Sequence, residues 1–446
     1  MGPGSTTVKT MARPPELVRT IGRWSLTALA VNCILGSGIF GLPSIVAGLV
    51  PHFSPLAVLA AGGAMAVVVA CYAEVASQFS ESGGNYLYAR AAFGQFAGIQ
   101  VAWMTMLGRL AASAANANLL VSYLGEFWPR AGNPIPRFVA LTLVIGFLGA
   151  VNYRGVKGGT RVSDVFVVAK LLPIGILIVA GGYWLVIHRA VAAPASISGE
   201  AHWLKAMLLL FFAYGGYEAA LNPMGEARNP RRDVAFALFA AIAIITAIYV
   251  LVQSIVVGVL PDPGQSARPL ADAARIVMGR GGAALIAAGV LISCYGYLSA
   301  NLLAGPRSTF ALAERGDFPE SFAAVHGTFR TPYVSIAVFA MATWMLALLG
   351  SFSWNVTLSA VARLVYYGAT CAALPVLRRK QPGAAWFRLP AGNWFAVAGM
   401  LICVSLFTVV DFSRWLILAG TVGVAALNWL AVRKPRGSPP AQIGGA

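Results

Sequence analysis

Two glycine-containing stretches interrupt long apolar segments of this sequence. In the first, Gly36, Ser37 and Gly38, with Pro43 soon after, lie within the apolar run of residues 21–50. Glycine and proline are poor residues for a helix interior. Inside a membrane, non-helical backbone is tolerated only within protein or beside an aqueous cavity. The stretch therefore predicts either a discontinuous helix lining a polar site or a glycine-rich face for close helix packing.

The second stretch lies in the sixth predicted span. Gly215 and Gly216, followed by Glu218, interrupt the apolar run of residues 201–226. Broken helices in the first and sixth spans indicate an inverted-repeat transporter with its site near the membrane midplane. Unwound N–H groups can bind a carboxylate, and unwound carbonyl groups can bind an ammonium. Two facing breaks therefore suit an α-amino acid.

Four ionisable residues within the predicted spans are candidates for a functional role: Lys170, Glu218, Arg109 and Arg363. Lys170, in the middle of the fifth span, is predicted to be either a proton carrier or a fixed structural cation. Glu218 is either a proton-linked switch or a fixed hydrogen-bond partner that steadies the second break. Arg109 and Arg363 stay charged in a membrane, so each must pair or face water. One interpretation is that Arg109 pairs with Glu218 or Glu74 and that Arg363 marks a helix-packing contact.

The composition predicts an all-α membrane protein. The chain has 446 residues, of which 58% are hydrophobic and 11% charged. Its net charge of +17 is spread over short loops, which fits the positive-inside rule and argues against a nucleic-acid partner. Apolar runs predict about twelve spans, near residues 21–49, 54–79, 90–125, 136–152, 161–187, 201–226, 233–260, 278–312, 332–351, 354–377, 394–410 and 413–432.

The arrangement of basic loops predicts a multi-pass protein of the cell inner (plasma) membrane with both termini in the cytoplasm. All five cysteines fall in apolar segments, so we expect no disulfide-linked subunit. The histidines show no metal-ligand spacing, and we expect no metal or other cofactor. Walker-type loops and a serine beside an activating histidine are missing from the sequence, so we expect no enzyme.

Several motifs together resemble the amino acid–polyamine–organocation permeases, close to the bacterial L-type amino acid transporter-like branch. They are residues 36–43 (GSGIFGLP), 212–218 (FAYGGYE), 226–232 (EARNPRR), 302–307 (LLAGPR) and 313–319 (AERGDFP). The resemblance implies a LeuT-like fold with a 5+5 inverted repeat and discontinuous helices 1 and 6. It implies five regions: a cytoplasmic segment 1–20, a first repeat 21–187, a second repeat 188–378, two peripheral helices 379–432 and a cytoplasmic tail 433–446.

The resemblance also implies the main contacts of the substrate. The carboxylate would meet Ser37 and the N–H groups of Gly38 and Ile39. The amine would meet the backbone carbonyl groups of Ile34, Phe212 and Gly215, and Phe212 would be the gate above the substrate. The remaining residue of this part of the site is Ala213. In sodium-independent members of the family a lysine at the position of Lys170 replaces a bridging sodium ion, and it would contact the first and eighth spans.

Four residues border the predicted side-chain end of the pocket. Arg109 and Arg363 would favour an anionic or polar side chain. Ala300, with Asn301 beside it, resembles the position where arginine/agmatine exchangers carry a tryptophan, so cationic substrates are disfavoured.

We expect a sodium-independent secondary transporter of L-amino acids, working by alternating access as a proton symporter or an exchanger. The alternative is a non-transporting amino acid sensor or receptor of the same fold. Expected partners are a free amino acid and the lipid bilayer, with the protein a monomer or homodimer.

Overall fold

The computed structural model describes residues 22–51, 53–79, 83–155, 160–188, 202–221 and 229–433. The predicted cytoplasmic segment 1–20 and most of the tail lie outside this part of the chain. The helices of the described part are α1 (Arg23–Ile34), α2 (Gly38–Leu49), α3 (Ser54–Ala76), α4 (Gly84–Phe93), α5 (Gln95–Leu124), α6 (Pro134–Arg154), α7 (Thr160–Ile187), α8 (Trp203–Tyr214), α9 (Tyr217–Ala220), α10 (Pro230–Val259), α11 (Pro269–Glu314), α12 (Tyr333–Leu349), α13 (Phe352–Lys380), α14 (Gly392–Phe407) and α15 (Phe412–Val432).

Helices and no strands are found in the described residues, which confirms the prediction of an all-α protein. Seven of its helices are long and apolar enough to cross a membrane. Helices α1 and α2 meet at a bend of 55° and pass the same test together, so the described residues contain up to eight spans if this bent pair is one span. The number of twelve spans and the division into two repeats stay predictions.

Two helix boundaries differ from those that hydropathy predicts. The third predicted span, residues 90–125, is divided at Gly94 into α4 and α5. The eighth, residues 278–312, is part of the longer helix α11, which bends at Gly279. Gly279 adopts φ 73°, a left-handed conformation that glycine accepts without the steric cost of a side chain. Hydropathy does not predict the helix boundary at Gly94 or the bend at Gly279, because neither changes the apolar character of its segment.

Helix α5 lies at the centre of the bundle and fixes the relative positions of the site elements. It packs against α13, α11, α15 and α12. Its buried face is rich in small residues, including Ala111, Ala112, Ala114 and Ala115. Small residues let helix backbones approach closely in a membrane. Arg109 of α5, Asn301 of α11 and Arg363 of α13 are thereby carried on neighbouring helices.

A buried carboxylate joins α4, α5 and α15 at one end of the bundle. Asp317, which follows α11, is 1% exposed and accepts hydrogen bonds from Tyr86, Arg90 and Gln95. The Asp317 carbonyl accepts a further bond from Asn428 Nδ2 at 2.8 Å. Burial, together with the bond to Asp317, raises the pKa of Tyr86 to about 12, so its hydroxyl stays protonated and donates at physiological pH.

Replacing Asp317 with asparagine is expected to lower the melting temperature of the purified protein by several degrees. The change leaves Arg90 without its counter-charge. It also replaces a carboxylate whose two oxygens accept from three donors with an amide that has one acceptor oxygen, a loss of roughly 1–3 kcal/mol. Thermal unfolding in detergent measures the effect. Asp411→Asn, which alters an ion pair between Arg414 and a carboxylate that is itself exposed, is the matched control and should have a smaller effect. Equal shifts in the two variants would contradict the prediction.

Candidate functional site

The first break separates α1 from α2. Helix α1 ends at Ile34, and α2 begins at Gly38. The Ser37 carbonyl accepts from the N–H groups of Phe40 and Gly41 at 3.2 and 3.0 Å. The Ser37 hydroxyl is a polar group without a hydrogen-bond partner among the described residues, although the residue is only 2% exposed. Buried polar groups are nearly always paired in native proteins, so this hydroxyl and the adjacent helix start suit an anionic ligand.

The second break depends on two glycines. Helix α8 ends at Tyr214, and Gly215 is extended. Gly216 has φ 115°, and α9 begins at Tyr217. A side chain at residue 216 would be strained at this φ. The break therefore follows directly from the glycine pair that the sequence analysis identified.

The two breaks lie against each other. A β-carbon added to Gly38 would lie 2.7 Å from the Ala213 Cα, and one added to Gly216 would lie 2.3 Å from the Cys33 carbonyl oxygen. Both distances are far shorter than van der Waals contact. Because residues 38 and 216 carry no side chain, the backbone at each break can approach the last turn of the helix that precedes the other break.

Tyr249 of α10 links the two breaks. Its hydroxyl lies 3.0 Å from the Ala213 carbonyl oxygen and 3.4 Å from that of Ile34. One turn further on, Gln253 donates to the Pro43 carbonyl of α2 at 3.0 Å. Sequence reasoning missed both residues, although two polar side chains four residues apart in an apolar helix are a detectable signal. They connect α10 to both halves of the first broken helix.

Lys170 donates to the end of α1. Its Nζ lies 2.7 Å from the Asn32 carbonyl oxygen and 2.9 Å from that of Leu35. Lysine at this place therefore supplies donors to carbonyl groups that the first break leaves without helical partners. We expected contacts to α11 as well, but within the described chain both Lys170 hydrogen bonds go to the first broken helix. These two hydrogen bonds are what a fixed structural cation would make. They are also compatible with a lysine that exchanges a proton.

Glu218 is held by four donors. The Gly216 N–H donates to Oε2 at 2.6 Å, and Oε1 lies 3.2 Å from Arg363 Nη1. The hydroxyls of Tyr366 and Tyr367 donate to the same Oε1 at 3.3 and 3.1 Å. These bonds tie the second break to α13. They favour the interpretation of Glu218 as a fixed hydrogen-bond partner, because all four groups donate to its carboxylate.

Arg363 is an ion-pair partner and not merely a packing contact. It is 7% exposed, and its guanidinium lies 5.6 Å from the ring centroid of Phe212. A β-carbon on Gly215 would overlap Arg363 Nη1, so the guanidinium rests on the glycine backbone. The predicted gate Phe212 and the predicted amine site at Gly215 are therefore both in contact with Arg363. The Phe212 carbonyl itself accepts from the Gly215 N–H at 3.2 Å.

Arg109 pairs with neither carboxylate, so that interpretation was wrong. Its Nη1 donates to Ser308 Oγ of α11 at 3.0 Å. Glu74 instead binds Arg378 through two contacts of 2.6 Å. In a packed bundle these partners depend on helix rotation, which residue spacing does not reveal.

Asn301 and Ala300 take different positions on α11. Asn301 Nδ2 donates to the Arg109 carbonyl at 3.1 Å and to Ser113 Oγ at 2.6 Å, which fixes α11 against α5. Ala300 is exposed.

The structure brings Ile34, Ser37, Gly38, Ala213 and Gly215 together at the breaks. Ile39 follows directly in the first turn of α2.

A helical bundle with several apolar spans and two facing backbone breaks defines a multi-pass membrane protein. The comparisons with known proteins agree. A sequence model described as amino acid permease matches residues 21–425, and the chain belongs to that family.

Three relatives from Bacillus subtilis are each 28% identical to the chain. A methylthioribose transporter matches over 96% of this chain and 94% of its own length. A serine/threonine exchanger matches over 82% and 85%, and a branched-chain amino acid permease over 90% and 92%. These relatives are transporters, and none of their names describes an enzyme.

Proposed function

We propose that the protein is a secondary-active transporter that moves L-amino acids across the bacterial plasma membrane. The observation that carries the proposal is the contact between two unwound segments, with the unpaired Ser37 hydroxyl at the start of α2. Family membership supports it, as do a serine/threonine exchanger and a branched-chain amino acid permease among the relatives.

In the proposed complex, the substrate carboxylate binds Ser37 and the N–H groups of Gly38 and Ile39. The dipole of α2 favours a negative charge at this end. The ammonium binds carbonyl groups of Ile34, Phe212 and Gly215. Phe212 covers the substrate, and the guanidinium of Arg363 beside it holds the ring.

Transport is proposed to be independent of sodium. The ammonium of Lys170 already provides a positive charge to the Asn32 and Leu35 carbonyls, where a bridging cation would otherwise be needed. The contacts of Lys170 are compatible with proton symport and with exchange.

Alternating access is supported by unequal packing of the two halves of the first broken helix. Helix α2 is held by several elements: Ser44 donates to the Pro263 carbonyl at 2.7 Å, and Tyr123 donates to the Phe40 carbonyl at 2.8 Å. Helix α1 packs mainly on α10 and α9. With twelve spans, a 5+5 repeat and both termini inside, α1 lies on the cytoplasmic side, and we propose that its movement opens the site inward.

Uptake of labelled amino acids into proteoliposomes tests the function. We expect saturable uptake that needs no sodium and that increases with either a proton gradient or unlabelled amino acid inside. Stimulation by the gradient indicates symport, and stimulation by internal substrate indicates exchange. Saturable binding to the purified protein without flux under any of these conditions would favour the sensor or receptor. The absence of both binding and flux would contradict the proposed function.

Cys33 provides a test of inward opening in the native chain. It lies at the end of α1 and is half-buried, whereas the other four cysteines are buried within helices. A membrane-impermeant maleimide is expected to label the protein in inside-out vesicles several-fold faster than in right-side-out vesicles. A saturating amino acid should slow this labelling. Cys33→Ser should abolish it, and equal labelling from both sides would contradict inward opening.

A further inference from the structure

We propose that Tyr297 of α11 recognises the side chain of the substrate and selects uncharged amino acids, particularly those with a side-chain hydroxyl group. The inference rests on the proposed function, because it assumes that an amino acid occupies the breaks. It assigns selectivity to a residue three positions before Ala300, the residue that the sequence indicated.

Tyr297 lies where the elements of the site converge. Tyr297 is half-buried. Its hydroxyl is close enough to Arg363, Arg109 and Glu218 for electrostatic interaction, and Cys33 at the first break is within the same range. These residues belong to four different elements: α13, α5, α9 and α1. A position within reach of all four lies beside the breaks and not on the outside of the bundle.

Neighbours on α11 fix the direction in which Tyr297 faces. Asn301, one turn later, binds the Arg109 carbonyl and Ser113 Oγ on α5. Ser293, one turn earlier, is buried. Residues four apart share a helix face, so Tyr297 lies between these two on the face directed into the bundle.

The Tyr297 hydroxyl has no hydrogen-bond partner among the residues that the structure describes. The buried Tyr249 and Tyr214, by contrast, both donate to backbone carbonyls. A phenolic hydroxyl can both donate and accept, and its ring offers an apolar surface. Tyr297 can thus contact the carbon atoms of a small side chain and bind a hydroxyl on it.

The charges around Tyr297 disfavour charged side chains. The Arg363 charge is compensated by Glu218 at 3.2 Å. Arg109 is directed toward Ser308, seven residues beyond Asn301, which is about 10 Å along the helix at 1.5 Å per residue. Neither guanidinium is therefore placed to bind an acidic side chain, and the buried ammonium of Lys170 at the first break disfavours a cationic one.

L-Threonine and L-valine provide the test, because they have nearly the same shape and differ by a hydroxyl in place of a methyl group. We expect the wild-type protein to take up threonine with a lower KM than valine in proteoliposomes. Tyr297→Phe should reduce this preference by about 3- to 10-fold, the effect of one hydrogen bond, with valine uptake changed by less than about twofold. L-Glutamate and L-lysine should compete with threonine at least about 10-fold more weakly than L-serine does.

Tyr183→Phe is the matched control, since Tyr183 lies exposed on α7 and should leave the threonine-to-valine ratio unchanged. An unchanged ratio in Tyr297→Phe, equal losses for both substrates, or glutamate as the best competitor would overturn the inference while leaving amino acid transport established. A selectivity change caused by Ala300→Leu but not by Tyr297→Phe would also overturn it. If the wild-type protein neither binds nor transports any amino acid, the proposed function itself fails.

Discussion

Replacing Lys170 with methionine is expected to reduce amino acid uptake by about 100-fold or more. Methionine retains much of the side-chain volume but leaves the Asn32 and Leu35 carbonyls without the donors that now lie 2.7 and 2.9 Å away. A hydrogen bond to a charged group contributes roughly 1.5–3 kcal/mol, so two of them stabilise the first break by several kcal/mol. A loss of about 2.7 kcal/mol already corresponds to 100-fold. Initial uptake rates, normalised to the amount of reconstituted protein, measure the effect.

Lys205→Met is the matched control, because Lys205 is exposed at the start of α8. It should retain wild-type uptake. Lys170→Met with wild-type rates would exclude the residue from the mechanism. The pH profile of the residual uptake separates the two roles that the sequence left open. If Lys170 carries the coupling proton, the pH dependence disappears in the variant, and if it is a fixed cation, the profile keeps its wild-type shape at a lower rate.

Replacing Glu218 with glutamine is expected to destabilise the protein and to abolish most uptake. Glutamine has nearly the same shape, but it lacks the charge that compensates Arg363 and presents an NH₂ group to neighbours that now donate to the carboxylate. Removing one partner of a buried ion pair typically costs about 3–5 kcal/mol, because the remaining charge is buried and unpaired. We expect the melting temperature in detergent to fall by roughly 5 °C.

The double variant Glu218→Gln/Arg363→Met removes both charges and should recover most of the lost thermal stability. Uptake should remain low, because Phe212 and Gly215 have lost the guanidinium that contacts them. Glu314→Gln, at the exposed end of α11, is the control for a surface carboxylate. Additive losses from the two single substitutions would contradict the ion pair as a unit.

The breaks could be predicted from sequence because glycine acts locally. Gly36, Gly38, Gly215 and Gly216 stand out in apolar segments, and the structure places a helix boundary at each pair. Lys170 could be predicted for a related reason, since an ammonium in a membrane must have acceptors nearby.

The partners of the charged residues could not be predicted. Glu218 and Arg363 are 145 positions apart, and their contact depends on how α9 and α13 are rotated in the bundle. The same dependence made the expected pairing of Arg109 wrong. Tyr249 and Tyr297 were missed because a tyrosine in an apolar helix is usually a packing residue. What distinguishes them is the placement of the hydroxyl, which only the assembled bundle defines.

The contact between Lys170 and α1 also has a consequence for the order of events during biosynthesis. A lysine at the centre of a helix entering the membrane costs about 2.5–3.5 kcal/mol on insertion scales. The segment of α7 from Lys170 onward has a mean hydropathy of 1.9, which favours insertion despite this cost. The acceptors for the ammonium belong to a helix synthesised earlier, so they are already in the bilayer when α7 leaves the ribosome. Lys170 can therefore dock on the end of α1 as α7 inserts, before the later helices that pack on α1 have been synthesised.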